Sequence, residues 1–298
     1  MSSHPATSEH ATGVIRVSAT DRAEADHGGA PALRLEGASL SYGERVLWSD
    51  LHLTVAPGEF LAVLGPNGTG KTSLLKVLLG LTPLSAGHSE VGGKPLRRGN
   101  PAIGYIPQHR GFDDDVPLRG RDLVRLGIDG HRWGVGLPSR DRRRRVDELL
   151  QQVHAKAYAD APVGRLSGGE QQRLRVAQAL ATKPQLLLCD EPLLSLDLHH
   201  QRIVVDLIDE RRRSHNTAVV FVTHEINPVL PLVDRVLYLM DGAFRLGTLA
   251  EVMTSEVLSQ LYRSPVEVIR RDNRLIVLGA AEDTHHAGDD PRAPRTLR

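Results

Sequence analysis

Apolar and polar residues alternate at the start of the folded part of the chain. The alternation runs over residues 33–42 and, after a Gly43-Glu44 turn, again over residues 46–55. A period of two is typical of strands with one buried face, and a glycine turn between two such runs is typical of a hairpin. The pattern therefore predicts an antiparallel β subdomain.

Three short runs further along are apolar without interruption, which is typical of strands buried on both faces. They are Phe60–Leu64, Gln185–Cys189 and Ala218–Val222. The first run ends at a glycine, and a helical pattern follows from about Lys71 to Leu79. Buried strands that alternate with helices predict a parallel α/β core.

The character of the chain changes between about residues 111 and 163. Apolar residues recur there at helical spacing in Leu118–Ile128 and in Val146–Val153. No buried-strand run interrupts them. The pattern therefore predicts a mostly helical subdomain inserted into the α/β core.

The two ends of the chain differ from this core. Residues 246–279 are predicted to form a small accessory unit after the main domain of residues 31–245. Its pattern indicates a helix over residues 249–262 and then two β-like pieces, residues 266–269 and 275–278, which are predicted to form a hairpin. Residues 1–30 and 280–298 are rich in small, polar and charged residues, and they are predicted to be disordered.

Charge and composition narrow the possible functions. Of the 298 residues, 37 are basic and 36 are acidic, and the formal net charge of +1 gives no overall attraction to nucleic acid. The densest basic runs, Arg142–Arg145 and Arg211–Arg213, lie beside apolar residues at helical spacing. They are predicted to be solvated helix faces near an anionic membrane surface. Few aromatic residues accompany them, which disfavours base stacking.

The sequence shows no sign of secretion or of membrane insertion. No run approaches the roughly 18 apolar residues of a membrane-spanning helix, and the first thirty residues have no apolar core typical of a signal peptide. The one cysteine, Cys189, cannot form an intramolecular disulfide, and a reducing cytosolic setting fits this composition. A role at a membrane would therefore require another polypeptide.

A complete phosphate-binding motif follows the first buried strand. Residues 65–72 match G-x-x-x-x-G-K-[ST] and lie between a strand and a helix, as this motif requires. Glycines turn backbone N–H groups toward the β-phosphate, and the helix N-terminus adds positive potential. Lys71 is predicted to reach the β- and γ-phosphates, and Thr72 to bind Mg²⁺. The residues predicted to bind ATP here are Gly65, Pro66, Asn67, Gly68, Thr69, Gly70, Lys71, Thr72 and Ser73.

Two acidic residues and a histidine follow the other buried strands. Asp190 and Glu191 end the second strand, and ligands collect at the carboxyl ends of parallel strands. Neighbouring strand residues project to opposite sides, so the two acids are expected to have different roles. Asp190 is predicted to hold Mg²⁺, and Glu191 to orient or deprotonate the attacking water. His224, after the third strand, is predicted to hydrogen-bond the γ-phosphate and this water.

Residues 166–173, Leu-Ser-Gly-Gly-Glu-Gln-Gln-Arg, precede the acidic pair and are called the signature segment below. Together with the phosphate loop, this segment makes the chain resemble the ATPases of ABC transporters over about residues 33–245. Ser167 and Glu170 have the spacing of a capping box, which predicts that the segment opens a helix. The family more often has Gln at the position of Glu170. In that family two copies pair head to tail, and each signature segment faces the ATP of the other copy.

The resemblance implies roles for further residues. Five residues are expected to contact ATP bound to the opposite copy: Ser167, Gly168, Gly169, Glu170 and Asp197. Tyr42 matches the aromatic residue that stacks on adenine, and Gln108 matches the glutamine that reaches Mg²⁺. The predicted Mg²⁺ ligands are Thr72, Gln108 and Asp190, and the predicted catalytic residues are Glu191, His224, Lys71 and Gln108. Leu193 and Leu194 depart from the smaller or more polar residues common in the family's coupling loop.

Some segments resemble the ATPases of zinc and manganese importers in particular. They are residues 111–117 and 122–127, residues 225–234, and the tail over 254–263. Three neighbouring acids, Asp113, Asp114 and Asp115, are expected to belong to a docking surface for a membrane partner and not to a metal site.

The sequence thus predicts an α/β fold: a P-loop NTPase of the ABC cassette type with a parallel-sheet core, an N-terminal antiparallel β subdomain and an inserted α-helical subdomain. The predicted function is hydrolysis of ATP, with Mg²⁺, to energise uptake of zinc or manganese through a separate membrane permease. The predicted partners are permease subunits, a second copy of the ATPase and, indirectly, an extracytoplasmic solute-binding protein. The predicted location is the cytoplasmic face of the cell membrane. Two alternatives remain: a cassette for another solute or for export, and a soluble ABC ATPase acting on DNA or ribosomes.

Overall fold

The computed structural model describes residues 30–108, 111–113, 115–130, 139–240 and 242–279. Its strands are β1 (Leu33–Tyr42), β2 (Arg45–Val55), β3 (Phe60–Leu64), β4 (Ala86–Val91), β5 (Lys94–Pro95), β6 (Ile103–Ile106), β7 (Leu186–Asp190), β8 (Ala218–Val222), β9 (Arg235–Met240), β10 (Ala243–Thr248), β11 (Glu267–Arg271) and β12 (Arg274–Leu278). Its helices are α1 (Lys71–Leu78), α2 (Gly120–Asp129), α3 (Arg140–Gln152), α4 (Gly168–Leu180), α5 (Leu198–His215), α6 (Leu249–Val252) and α7 (Ser255–Tyr262). None of the helices in these ranges is long and apolar enough to cross a membrane. The disorder predicted for both chain ends, and Asp114, fall outside the described residues.

The first sheet is antiparallel and has the strand order β2-β1-β4-β5. The predicted hairpin is present, because β1 and β2 pair and close with Tyr42 opposite Arg45. Leu33, Leu35, Ala38 and Leu40 of β1 are buried, while the residues between them are wholly or partly exposed. A register shift between Leu35 and Ala38 interrupts the strict alternation. The period of two in the sequence therefore corresponds to one buried face, as predicted.

The central sheet has the order β10-β9-β3-β8-β7-β6. Its strands run parallel from β9 to β6, and only the outer β10 is antiparallel to its neighbour. Every residue of β3, β7 and β8 is buried, and β3 and β8 have the predicted bounds. Strand β7 is shifted by one residue from the predicted Gln185–Cys189, because Gln185 is exposed before the strand and Asp190 is its last residue. Because parallel strands end at the same edge, the loops that follow β3, β6, β7 and β8 meet there.

Both faces of the central sheet are covered. On one face, Leu186 and Leu188 of β7 share a core with α1 and the antiparallel sheet. On the other face, Leu187 and Cys189 pack in a core with residues of α4 and α5. Burial of each such side chain stabilises the fold by about 1.5–3 kcal/mol. Cys189 is fully buried, directly before the acidic pair.

The helical part of the fold consists of α2, α3 and α4. Helix α2 lies against α4, and α3 buries Val146, Leu149 and Leu150 in the same core. Ser139 accepts a hydrogen bond from the Arg142 N–H at 3.5 Å and caps α3. The inserted helical subdomain is present as predicted. Its boundary near residue 163 stays a prediction, since α4 lies beyond that point and packs against α2.

The C-terminal unit differs from its prediction in one respect. The single helix predicted over residues 249–262 is wrong, because the chain forms two helices, α6 and α7. The hydroxyl of Thr254 accepts a hydrogen bond from the Val257 N–H at 3.2 Å, so this residue caps a new helix. Strands β11 and β12 then form the predicted hairpin. Its turn residues, Asp272 and Asn273, have φ values of 47° and 61°, as in a type I′ turn.

The prediction that the basic runs are solvated is partly wrong. The Arg144 side chain is 76% exposed, as expected. Arg211, however, is buried, and Arg212 donates to the Gly58 carbonyl at 2.8 Å and pairs with Asp209. Arg212 therefore ties the last turn of α5 to the loop before β3.

Candidate nucleotide-binding and hydrolysis site

The loop after β3 is a tight glycine turn that leads into α1. Gly70 precedes the helix with φ 99°. Gly65, at φ 137°, passes so close to β9 that a Cβ would lie 2.1 Å from the Leu239 carbonyl oxygen, so only glycine fits there. The Thr69 hydroxyl donates to the Pro66 carbonyl at 2.9 Å and holds the loop in shape. The structure therefore provides the strand, turn and helix that the phosphate-binding motif requires.

Lys71 is the first residue of α1, and its side chain is buried. Its ammonium donates to the carbonyl oxygens of Gly65 and Pro66, at 2.5 and 2.7 Å. Burial lowers the pKa of Lys71, and the nearby Glu191 and Asp190 carboxylates act in the opposite direction. A poorly solvated ammonium gains strongly from an added anion. Its place at the loop suits the predicted contact with phosphate.

Asp190 is the last residue of β7 and is only 6% exposed. The hydroxyl of Tyr105, on the neighbouring strand β6, donates to Asp190 Oδ2 at 3.3 Å. Burial raises the pKa of Asp190, and the Tyr105 hydrogen bond partly opposes this. A carboxylate in such a place is stabilised by a cation. Tyr105 was missed in the sequence analysis, because only the pairing of β6 with β7 brings it here.

Glu191 turns away from the sheet at the end of β7. Its φ of 44° is a left-handed conformation that costs a glutamate about 1–2 kcal/mol. Gln108 Nε2 donates to Glu191 Oε2 at 3.2 Å, and His224 Nδ1 lies 3.7 Å from the same oxygen. The structure thus brings together three predicted catalytic residues, from the loops after β6, β7 and β8.

A cavity of about 150 Å³ opens between the loops that follow β7 and β8. Its lining includes Glu191, Leu193, Leu194, Thr223, His224 and Pro228. A space of this size admits several water molecules. The cavity therefore borders Glu191 and His224 on the side of the loops that follow β7 and β8.

The signature segment opens α4 as predicted. Ser167 Oγ accepts from the Glu170 N–H at 3.3 Å, and the Glu170 carboxylate accepts from the Ser167 N–H at 2.9 Å. This is the predicted capping box. Gly168 and Gly169 form the first helical positions, where backbone N–H groups and the helix dipole favour an anion. Ser167 is exposed, and its role toward the ATP of a second copy stays a prediction.

Asp197 is also exposed and caps α5. Its carboxylate accepts from the His200 N–H at 2.9 Å and lies 2.7 Å from His200 Nδ1. These hydrogen bonds lower the pKa of Asp197. Leu193, in the loop between Glu191 and Asp197, is buried in the core. An apolar residue at this position, unlike the smaller or more polar residues common in the family, therefore has a place in the fold. Leu198, next to Asp197, is 75% exposed.

Gln171 lies within the signature segment, and its side chain connects this segment to the loop that carries Gln108. Its Nε2 donates to the Leu166 carbonyl at 3.0 Å, and its Oε1 accepts from the Phe112 N–H at 3.3 Å. The Arg175 guanidinium lies over the Phe112 ring, 4.8 Å from its centre. Both links were missed in the sequence analysis, although a glutamine and an arginine on the buried side of a helix are unusual enough to suggest a specific contact.

Tyr42 lies at the end of β1 and is 50% exposed. The guanidinium of Arg45, opposite it in the hairpin, donates to the Gly68 carbonyl at 3.1 Å. Arg45 therefore ties the hairpin that carries Tyr42 to the phosphate loop. The predicted adenine contact of Tyr42 stays a prediction.

The residues present fit a Mg²⁺ ion carried by a nucleotide. Mg²⁺ prefers oxygen ligands, and the predicted set consists of the Asp190 carboxylate, the Thr72 hydroxyl and the Gln108 amide oxygen. Thr72 is exposed at the start of α1. The nitrogen end of the Gln108 amide is used by Glu191, which leaves its oxygen end for a cation.

A buried parallel strand that leads into a glycine loop and a helix, with an acidic pair at the end of a nearby strand, defines a P-loop nucleotide-binding protein. The family model described as ABC transporter matches residues 48–194. The manganese transport system ATP-binding protein MntB of Halalkalibacterium halodurans is 30% identical over 248 residues, which are 83% of this chain and 98% of that protein. The chain belongs to the ABC transporter family, as predicted, and it is an ATPase of that family.

Solved structures agree with this assignment. A chain from an inward-facing ABC transporter assigned to the metal-chelate type is 29% identical, with a TM-score of 0.71 over 83% of this chain and 96% of that one. The ATP-binding cassette MJ0796, solved as a dimer in a post-hydrolysis state with ADP and Pi, is 25% identical. Its TM-score is 0.61 over 73% of this chain and 98% of that one. The predicted fold class is confirmed.

Proposed function

We propose that this chain is the ATP-hydrolysing subunit of an importer that takes up a divalent transition metal, zinc or manganese. Three observations support a metal ion as the transported substrate. The curated relative is named for manganese transport, and a similar structure belongs to a transporter assigned to the metal-chelate type. The resemblance to metal importers in residues 111–117 and 225–234 points the same way.

The proposed mechanism of hydrolysis rests on the close approach of Gln108 and His224 to the Glu191 carboxylate. In this proposal Glu191 orients the water and takes its proton, while the water oxygen attacks the γ-phosphorus and the bond to the bridging oxygen of ADP breaks. Gln108 and His224 hold the carboxylate and the water in position from either side. Lys71 neutralises charge on the phosphates, and Mg²⁺, when bound, adds further charge neutralisation.

The proposed assembly contains two copies of this chain and two permease subunits. Tyr42 stacks on adenine within one copy, and Ser167, Gly168, Gly169, Glu170 and Asp197 of the other copy complete each ATP site. Asp113 and Asp115 belong to the surface that docks on the permease, at the cytoplasmic face of the cell membrane. An extracytoplasmic solute-binding protein delivers the metal to the permease. Closure on ATP moves the helical subdomains, and hydrolysis reopens the pair.

Replacement of Glu191 by glutamine tests the catalytic assignment. We expect Glu191→Gln to bind ATP normally and to lose activity by on the order of a hundredfold or more, since it removes the proton acceptor and keeps the shape. Glu225→Gln is the matched control, because Glu225 lines the same cavity but uses its backbone to bond Thr223. Brisk hydrolysis by Glu191→Gln, or an equal loss in both variants, would refute the assignment.

Growth and metal content of a strain lacking this subunit test the substrate. We expect growth to fail when manganese or zinc is scarce, and the cellular content of that one metal to fall. Addition of the metal and expression of the wild-type chain should each restore growth, whereas Glu191→Gln should not. Normal metal content would favour another solute or an exporter. Recovery of the chain with ribosomes or DNA, and not with membranes, would favour a soluble ABC ATPase.

A further inference from the structure

Asn227 links the loop that carries His224 to the C-terminal hairpin. Its Nδ2 donates to the Leu275 carbonyl at 3.0 Å, and its Oδ1 accepts from the Leu275 N–H at 2.8 Å. The geometry of the hairpin makes this link possible. Arg271 and Arg274 close a two-residue turn as a hydrogen-bonded pair, so the next pair, which contains Leu275, directs its backbone groups outward. The Asn227 amide thus pairs with the hairpin edge as a neighbouring strand would.

The hairpin is itself held firmly on α7. The Ser255 hydroxyl accepts from the Val268 N–H at 2.9 Å. The Ser259 hydroxyl accepts from the Val266 N–H at 2.9 Å and donates to the Val266 carbonyl at 3.1 Å. Val266 and Leu275 are buried in the core that also contains α4 and α5. Asn227 is therefore attached to a fixed platform and not to a loose tail.

The other end of the His224 loop is fixed as well. The Thr223 hydroxyl bonds both the N–H and the carbonyl of Glu225, at 3.1 and 2.8 Å. Pro228, directly after Asn227, lines the cavity beside Glu191. The His224 side chain is 54% exposed, and its contact with Glu191 is 3.7 Å long. Its position is therefore set mainly by the backbone on either side of it.

We propose that Asn227 is a positioning residue for ATP hydrolysis, and that the C-terminal hairpin is the platform against which it holds the His224 loop. This rests on the proposed role of His224. Loss of the two Asn227 hydrogen bonds removes the restraint on the C-terminal side of His224, while the Thr223 bonds to Glu225 remain. The backbone that carries His224 can then shift, and the imidazole moves away from Glu191 and the water. The hairpin thus acts on hydrolysis from outside the nucleotide site.

Steady-state ATPase kinetics of the full-length chain test this proposal. We expect Asn227→Ala to lower kcat by on the order of tenfold, because small misplacements of a catalytic group are costly, and to leave KM for ATP within about twofold. Gln151→Ala is the matched control, since it removes an exposed amide hydrogen bond to Lys156 that lies outside both the hairpin and the His224 loop. Its kcat should equal that of the wild type. Asn227→Asp retains the acceptor for the Leu275 N–H, and we expect its kcat to lie between those of the wild type and Asn227→Ala. This variant also tests the proposal if Asn227→Ala fails to fold.

A double-mutant cycle separates positioning from a general loss of stability. In a His224→Ala background, Asn227→Ala should lower the residual rate no further. Hydrogen exchange should accelerate in residues 223–232 and stay unchanged in residues 65–72. Wild-type kcat in Asn227→Ala and Asn227→Asp, with an inactive His224→Ala, would overturn this proposal alone, as would full additivity in the cycle. Wild-type activity in His224→Ala would instead refute the role of His224 in the proposed function.

Discussion

At the scale of single residues, the site holds buried charge in an arrangement that is unfavourable without a ligand. Burial raises the pKa of Asp190 and lowers the pKa of Lys71, so each group resists the charged form that nucleotide binding requires. Both side chains have polar partners, Tyr105 for the acid and loop carbonyls for the base. These partners reduce the cost of burial and do not remove it.

This cost gives a prediction for Asp190→Asn. A raised pKa means that the folded chain holds the proton more tightly than the unfolded one, so the ionised carboxylate destabilises the fold increasingly as pH rises from about 3.8, and fully above the raised pKa. The neutral amide removes this penalty and still accepts from Tyr105. At neutral pH we expect a higher melting temperature than that of the wild type without nucleotide, and loss of the stabilisation that Mg²⁺ with ATP provides.

Calorimetry with and without Mg²⁺ and ATP checks both parts, and Asp147→Asn is the control. The Asp147 side chain is 54% exposed, and surface ion pairs of this kind contribute about 0–1 kcal/mol. The control should therefore respond to nucleotide as the wild type does. A lower melting temperature for Asp190→Asn, or an unchanged response to Mg²⁺ with ATP, would contradict the prediction.

At the scale of elements, the helical subdomain depends on a close approach of α2 to α4. A Cβ at Gly127 would lie 2.3 Å from the Gln178 carbonyl oxygen and 2.8 Å from the Ala181 Cβ. The two backbones therefore touch at this point. Because α4 begins at the signature segment, this contact also fixes where that segment lies.

We expect Gly127→Ala to lower the free energy of unfolding by about 1–3 kcal/mol, since overpacking outweighs the roughly 1 kcal/mol that alanine gains in a helix. Urea unfolding monitored by circular dichroism measures the change. Gly111→Ala is the control, because a Cβ there would meet nothing within 4 Å. A neutral or stabilising effect of Gly127→Ala would show that the helices separate at low cost.

The same scale shows what the sequence could predict and what it could not. Apolar runs and the glycine motif carry local signals, so the buried strands and the phosphate loop were predicted correctly. The break between α6 and α7 was missed because the Thr254 cap competes with a continuous helical pattern. Tyr105 and Asn227 were missed because their partners, Asp190 and Leu275, are far away in sequence. Tyr105 reaches Asp190 through the pairing of β6 with β7, and Asn227 reaches Leu275 through the packing of the C-terminal hairpin. The burial of Arg211 was missed because the basic run was taken as one exposed face, although Arg211 follows Val204 and Ile208 at helical spacing.

At the scale of the whole molecule, the proposed site is shared between two copies, and mixing two defective variants tests this. Lys71→Ala lacks the phosphate contact and keeps its signature segment, whereas Ser167→Arg has a blocked signature segment and an intact phosphate loop. We expect each to be inactive alone and ATPase activity to appear on mixing, since a mixed pair contains one complete site. Activity that stays at the sum of the separate proteins would contradict a shared site.

The burial of Cys189 makes its labelling rate a measure of how often the central sheet opens. This thiol is the one cysteine of the sequence, and it is fully buried on β7, between β8 and the edge strand β6. Burial raises its pKa, so we expect the reactive thiolate to form when this part of the sheet opens. The rate at which a disulfide reagent labels the native protein should therefore time that opening, and Mg²⁺ with ATP should slow it. Each labelled molecule would record one opening of the strand that carries the catalytic acids.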